Sequence, residues 1–135
     1  MSLYVDSSAL LKRYVPEAES ARVAELLASD EHLVTARHTM IEVRRTLVRL
    51  LDAADLRNAR TTLDDDLRGF GVVELDAATC ELAASIAEQT GVRTLDALHL
   101  GAAQRVGGRA ITFLTFDVRQ AQAARSLGFP VVGTG

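Results

Sequence analysis

Cysteine is nearly absent from this sequence. Cys80 stands alone, so no internal disulfide can form. His32 and His38 are not at zinc-ligand spacing from it. Aromatic residues make up only 4% of the chain and tryptophan is missing. That leaves few platforms for base stacking and favours recognition of a nucleic-acid backbone over reading of bases. No apolar run is long enough to cross a bilayer. The first residues lack a basic segment followed by an apolar stretch and a small-residue cleavage site. No membrane association and a cytoplasmic location are therefore expected. Gly107-Gly108 precedes a strand pattern, not a helix, which excludes a phosphate-cradling loop there.

What remains is a chain of 135 residues, 48% apolar and 24% charged. It suits one packed domain, here taken as residues 1–135. The formal net charge is −3. A basic surface is the usual footprint of a nucleic-acid binder, so this balance argues against one unless several acids surround bound cations. Lys12 is the sole lysine, and the other basic residues are arginines suited to bidentate phosphate contacts.

Short apolar strands alternate with helical patterns. Leu3-Tyr4-Val5 reads as a buried strand ending at the helix-start signal Asp6-Ser7-Ser8. Helices are predicted over Ala9 to Tyr14, before Pro16, and over Ala18 to Ala28. A strand follows at His32 to Thr35. Thr39-Met40-Ile41-Glu42 matches a capping box opening a helix to about Leu51. Further helices span about Ala54 to Leu67, Asp76 to Thr90 with Gly91 past its end, and Thr94 to Val106. Val72 to Leu75, Ala110 to Leu114 and Val131-Val132 read as strands, and Asp117 caps a helix to about Leu127. The alternation predicts a three-layer α/β/α domain with a short central parallel sheet.

In such sheets ligands collect beyond the carboxyl ends of the strands. Asp6 and Asp117 follow strands directly, and Asp96 and Glu42 fall in predicted first helical turns. Taken singly, each has an ordinary structural role as a helix cap or dipole partner. Taken together, they put four carboxylates at one edge. Close carboxylates repel, and a hard divalent cation relieves that repulsion. Ser7 and Thr115 lie beside two of the acids and are candidates to hydrogen-bond a carboxylate or a water.

These residues also match a family. Val5-Asp6-Ser7-Ser8-Ala9-Leu10 resembles the opening motif of PIN domains. Thr39-Met40-Ile41-Glu42-Val43 is similar to the segment carrying the second acid. Leu95-Asp96-Ala97-Leu98-His99-Leu100 resembles the third motif as found in VapC toxins, with Gly101 where alanine is usual, and Phe113-Leu114-Thr115-Phe116-Asp117 resembles the fourth. The resemblance covers essentially the whole chain. It implies an endoribonuclease dependent on Mg²⁺ or Mn²⁺, acting on structured RNA such as tRNA or rRNA. Asp6, Glu42, Asp96 and Asp117 would be its catalytic, metal-binding acids. It further implies a homodimer and a cognate VapB-type antitoxin, in a heterotetramer or larger assembly.

Arg13 and Arg93 are the preferred RNA contacts among arginines that include Arg37, Arg44, Arg45 and Arg119. Asp64-Asp65-Asp66 reads as a solvated helix segment, because consecutive helical residues diverge. His99 stands three residues after Asp96, either near the site or as a packed, hydrogen-bonded histidine. The apolar residues around the helix Ile41 to Leu51 fit full burial or a dimer interface. Two alternatives stand beside the nuclease. One is a non-catalytic binding module. The other is a receiver-like phospho-acceptor domain, which needs a lysine at a late strand end where this chain has none.

Overall fold

The structure is a computed structural model and describes residues 2–29 and 32–134. Five parallel strands form its sheet: β1 (Ser2–Val5), β2 (His32–Ala36), β3 (Gly71–Val73), β4 (Ile111–Thr115) and β5 (Val131–Gly133). Their spatial order is β3-β2-β1-β4-β5. Leu3 of the central strand β1 pairs in register with Leu33 on one side and Thr112 on the other. Because strand side chains alternate in direction, β1 feeds two cores. Tyr4 joins Ile111, Phe113, Leu100 and Ile86 on one face, while Leu3 and Val5 join Leu10, Val43, Leu47, Leu63 and Leu114 on the other.

Helices cover both faces. The Leu3/Val5 face carries α1 (Ser7–Leu11), α2 (Ser20–Ala28), α3 (Arg37–Leu50) and α4 (Ala53–Arg68). The Tyr4 face carries α5 (Ala77–Thr90), α6 (Thr94–Val106) and α7 (Val118–Ser126). This is the expected three-layer α/β/α arrangement with a short parallel sheet. Burying a side chain such as Leu10, Leu47 or Leu100, each at 0% exposure, stabilises the fold by roughly 1.5–3 kcal/mol. Among the described residues no helix is long and apolar enough to cross a membrane.

Aspartates open four helices. Asp6, Asp52, Asp76 and Asp117 each accept backbone N–H groups from the first turn that follows, an arrangement worth ~1 kcal/mol per cap. Gly91 ends α5 at φ +74°, where a β-carbon is strained.

Some predicted helix bounds differ: α1 spans Ser7–Leu11 instead of Ala9 to Tyr14, and α2 opens at Ser20 instead of Ala18. The helix expected to open at Thr39 begins at Arg37, after Ala36, with no side-chain cap. The capping box does not form, because the Thr39 hydroxyl lies 2.7 Å from that of Thr35. Thr35 in turn donates to the Val5 carbonyl at 2.7 Å. Tertiary burial thus diverts Thr39 from its local partner, and Glu42 falls in the second turn of α3 instead of the first. Two strands also shift slightly: β3 starts one residue early at Gly71, and a 3-10 turn at Gly108–Ala110 delays β4 to Ile111.

Candidate metal centre

The chain runs β1, β2, β3 outward on one side, then returns to place β4 on the other side of β1. The strand order therefore reverses between β1 and β4, the position where open parallel sheets bind ligands. Asp6 follows β1 and Asp117 lies two residues beyond β4. α6 precedes β4 and runs back along the sheet, so its N-terminus, with Asp96 in the first turn, returns to the same edge. A cavity of about 210 Å³ there is lined by Asp6, Ser7, Glu42, Asp96, His99 and Asp117 among others. The structure thus brings all four predicted acids together.

Asp6 and Asp117 are fastened as helix caps, and Glu42 by side chains. Asp6 Oδ1 accepts from the Ser8 hydroxyl at 2.7 Å and the Ala9 N–H at 3.0 Å. Asp117 Oδ1 accepts from the Arg119 and Gln120 N–H groups at 2.9 and 3.1 Å. Glu42 Oε1 accepts from the Ser7 hydroxyl at 2.6 Å and lies 2.8 Å from His99 Nε2. One oxygen of each is fastened. Thr115 also acts on the Asp6 carboxylate, favouring its charged form against burial. Of the predicted supporting groups, Ser7 holds Glu42 and Thr115 accepts the Asp117 N–H at 3.1 Å.

Residues that local sequence patterns did not single out complete the frame. Gln120 is buried and donates its side-chain amide to the Asp96 carbonyl at 3.0 Å, tying the start of α7 to the start of α6. His38 lies 3.6 Å from Glu42 Oε1 through Nε2, and its ring packs 4.1 Å from that of His99. His99 is both of its predicted alternatives at once, packed in the core and lining the site.

The electrostatics are unbalanced without a cation. Burial raises the pKa of Asp6 above the ordinary aspartate value. Burial also raises that of Asp96, and the nearby charges of Asp117, Asp6 and Glu42 add to the effect. Burial pushes Glu42 upward as well, but the hydrogen bond and charge of His99, with Ser7 and His38, outweigh it and leave its pKa lowered. Burial and the neighbouring His99 depress His38 to about 4.

Such a donor set fits a hard divalent ion, which prefers carboxylate oxygen and removes the repulsion. His38, Glu42 and His99 also form a cluster whose ligand atoms lie within 4.8 Å of one another, a spacing compatible with a divalent metal.

Beside the acidic cavity lies a wider groove of about 860 Å³, which shares Asp96 and Asp117 and is flanked by Arg93 and Arg119. Both arginines are exposed. Arg13, the other preferred RNA contact, is placed elsewhere. Its guanidinium is bound by Asp66 at 2.6 and 3.1 Å, and it lines a separate cavity with Leu33 and Phe70. Arg37 is likewise paired, with Glu74 at 2.9 Å.

The sequence model of the family described as "PIN domain" matches residues 3–126. A "Ribonuclease VapC46" from Mycobacterium tuberculosis is 32% identical over 131 residues, covering 97% of this chain and 96% of the relative. The chain belongs to the PIN-domain family, in its VapC-type branch. Solved structures share the fold. The FitAcB structure from Neisseria gonorrhoeae superposes with a TM-score of 0.75 at 19% identity, covering 97% of this chain and 96% of that one. A toxin-antitoxin complex from Klebsiella pneumoniae superposes at 0.70 and 18%, covering 98% and 97%. Membership of this family and the metal-compatible cluster support a hydrolytic, nuclease activity for this PIN-domain chain.

Proposed function

We propose that residues 1–135 act as one PIN-type nuclease domain, a Mg²⁺- or Mn²⁺-dependent endoribonuclease toxin held in check by a cognate VapB-type antitoxin. The observation that carries this reading is the convergence of Asp6, Glu42, Asp96 and Asp117 on one cavity, open to a groove flanked by Arg93 and Arg119. Asp6, Asp96 and Asp117, with Glu42, would hold the cation through their carboxylates. When bound, the cation activates a water and offsets charge on the leaving oxygen of a phosphodiester. Arg93 and Arg119 would take the flanking phosphates and align the strand for in-line attack. The relative's name, ribonuclease, supports RNA as the substrate. tRNA and rRNA are the structured RNAs to test first. The paucity of aromatics supports recognition through backbone and shape.

The Klebsiella pneumoniae complex supports an antitoxin partner. The outer face of α3 supports a homodimer. Ile41 and Val48, seven residues apart and so on one side of the helix, are 60% and 62% exposed, and a second copy packed on that side would bury both. Burial of that helix in its own core does not account for them. Light scattering of the purified chain should give twice the monomer mass, and Val48→Glu should halve it.

The test of the activity is cleavage of total cellular RNA by antitoxin-free protein with Mg²⁺ or Mn²⁺, with and without EDTA. Cleavage should require the metal and be lost in Asp6→Asn and Asp96→Asn with the circular dichroism spectrum intact. No cleavage under either metal would favour a non-catalytic binding module instead.

A further inference from the structure

We propose that His99 is a positioning residue for Glu42, an imidazole anchored from behind by Tyr4 that holds one carboxylate oxygen so that the other faces the acidic cavity. The proposal rests on the carboxylate-site reading above and assigns the His38–Glu42–His99 cluster a different task from direct metal ligation.

The carboxylate acceptor assigns the proton on the His99 nitrogen that faces it. Glu42 Oε1 is a carboxylate oxygen and only accepts, so His99 Nε2, 2.8 Å away, carries a proton and donates it. The same N–H reaches the Ser7 oxygen at 2.9 Å. In the neutral ring Nδ1 is then a bare acceptor, and the Tyr4 hydroxyl, 2.7 Å away, donates to it. Tyr4 is itself enclosed by the core. Its exposure is 0%, and its ring stacks on Phe113 at 5.0 Å and 12°. A line of contacts therefore runs from the central strand β1 through α6 to α3 and ends on one oxygen of Glu42. His38 backs the imidazole by ring packing and donates its own Nε2–H to the Leu95 carbonyl at 3.1 Å.

Direct ligation by His99 Nε2 would require that proton to move to Nδ1, Tyr4 to turn from donor to acceptor, and Glu42 to lose its hydrogen bond. The two contacts of Nε2–H, to Glu42 and to Ser7, would be exchanged for one bond, with the Tyr4 contact kept in the reverse direction. Orientation of the carboxylate retains all of them. A hydrogen-bond partner of a metal ligand that fixes its direction typically contributes 10–100-fold to metal affinity.

The test uses the purified full chain with Mn²⁺ as the probe. Three substitutions serve: His99→Leu removes both nitrogens, His99→Gln returns an N–H donor, and Tyr4→Phe removes the anchor while keeping the ring stack. Calorimetry should show Mn²⁺ affinity about 10–100-fold weaker in His99→Leu, with at least partial recovery in His99→Gln. kcat should fall in the same order, with KM for RNA changed by less than about twofold. Pulsed electron paramagnetic resonance of the wild-type Mn²⁺ complex should show no directly coordinated ¹⁴N. A coordinated ¹⁴N signal that disappears in His99→Leu would make His99 a ligand and overturn the proposal. So would wild-type Mn²⁺ affinity in a folded His99→Leu. If His99→Leu does not fold, Tyr4→Phe decides: weaker Mn²⁺ affinity supports the anchor, and unchanged affinity overturns it. Wild-type protein that neither binds Mn²⁺ nor cleaves RNA is a separate outcome, the failure of the carboxylate-site reading itself.

Discussion

Replacing Gly101 with alanine, the residue usual at that point of the motif, should destabilise this protein. Gly101 is buried in α6, and a β-carbon built there would lie 2.9 Å from the Ala83 backbone nitrogen and 3.2 Å from its Cα and Cβ. The obstacle is the backbone of α5, so no side chain can rotate away and the two helices must part. Two effects oppose each other. Alanine gains ~1 kcal/mol over glycine in a helix interior, while overpacking a tight core costs ~1–3 kcal/mol. The difference favours glycine by roughly 1 kcal/mol, equivalent to a Tm lower by about 3–6 °C at this chain length. Urea unfolding followed by circular dichroism should show a lower midpoint with an unchanged slope. Because α6 also carries Asp96 and His99, Mn²⁺ affinity should fall alongside. A variant with a higher Tm would show that the helices separate without cost and would refute the steric reasoning.

Other outcomes can be checked with the same preparations. In metal-free buffer at neutral pH, Asp96→Asn should raise Tm, because burial and neighbouring acids disfavour the charged form in the folded chain. A raised carboxyl pKa means the penalty is present above the folded pKa and fades as pH falls through it, so the gain should vanish below about pH 4 in a Tm series. Saturating Mn²⁺ should stabilise the wild type by RT ln(1 + [Mn²⁺]/Kd), about 2.7 kcal/mol at one hundred times Kd, and EDTA should reverse the shift in a thermal melt. Arg119→Ala should weaken RNA binding and reduce the salt slope of log K by ~0.7–1 in a titration, with the Tm unchanged. Asp76→Ala, remote from the acidic cavity, should cost ~1 kcal/mol through loss of the α5 cap while leaving Mn²⁺ affinity alone.

Much of the site was legible because its signals are local. Asp6 and Asp117 each sit where a buried apolar strand gives way to a helix start, and the parallel alternation of elements sends both to one edge. Asp96 was reached by a less direct route. It arrives there because α6 returns toward β4, although a helix and not a strand precedes it. Glu42 was found through its motif, while the local reading as a capping-box residue failed when Thr35 captured Thr39. His38 and His99 are 61 residues apart, and only the fold, which brings the first turns of α3 and α6 together at one sheet edge, makes them neighbours. No spacing rule would pair them. Arg13 illustrates the converse, since Asp66, 53 positions away, removes a cation that looked available. Local chemistry was readable, and long-range partners were not.

The double attachment of Asp6 and Asp117 has a consequence for how these positions tolerate change. Each spends one oxygen closing the first turn of a helix and keeps the other out of that cap. A collection of variants selected only for a folded product should admit asparagine, serine or threonine at both places, since all of these start helices well. The same collection selected for strand scission should keep aspartate alone, and the gap between the two lists would mark where architecture ends and chemistry begins.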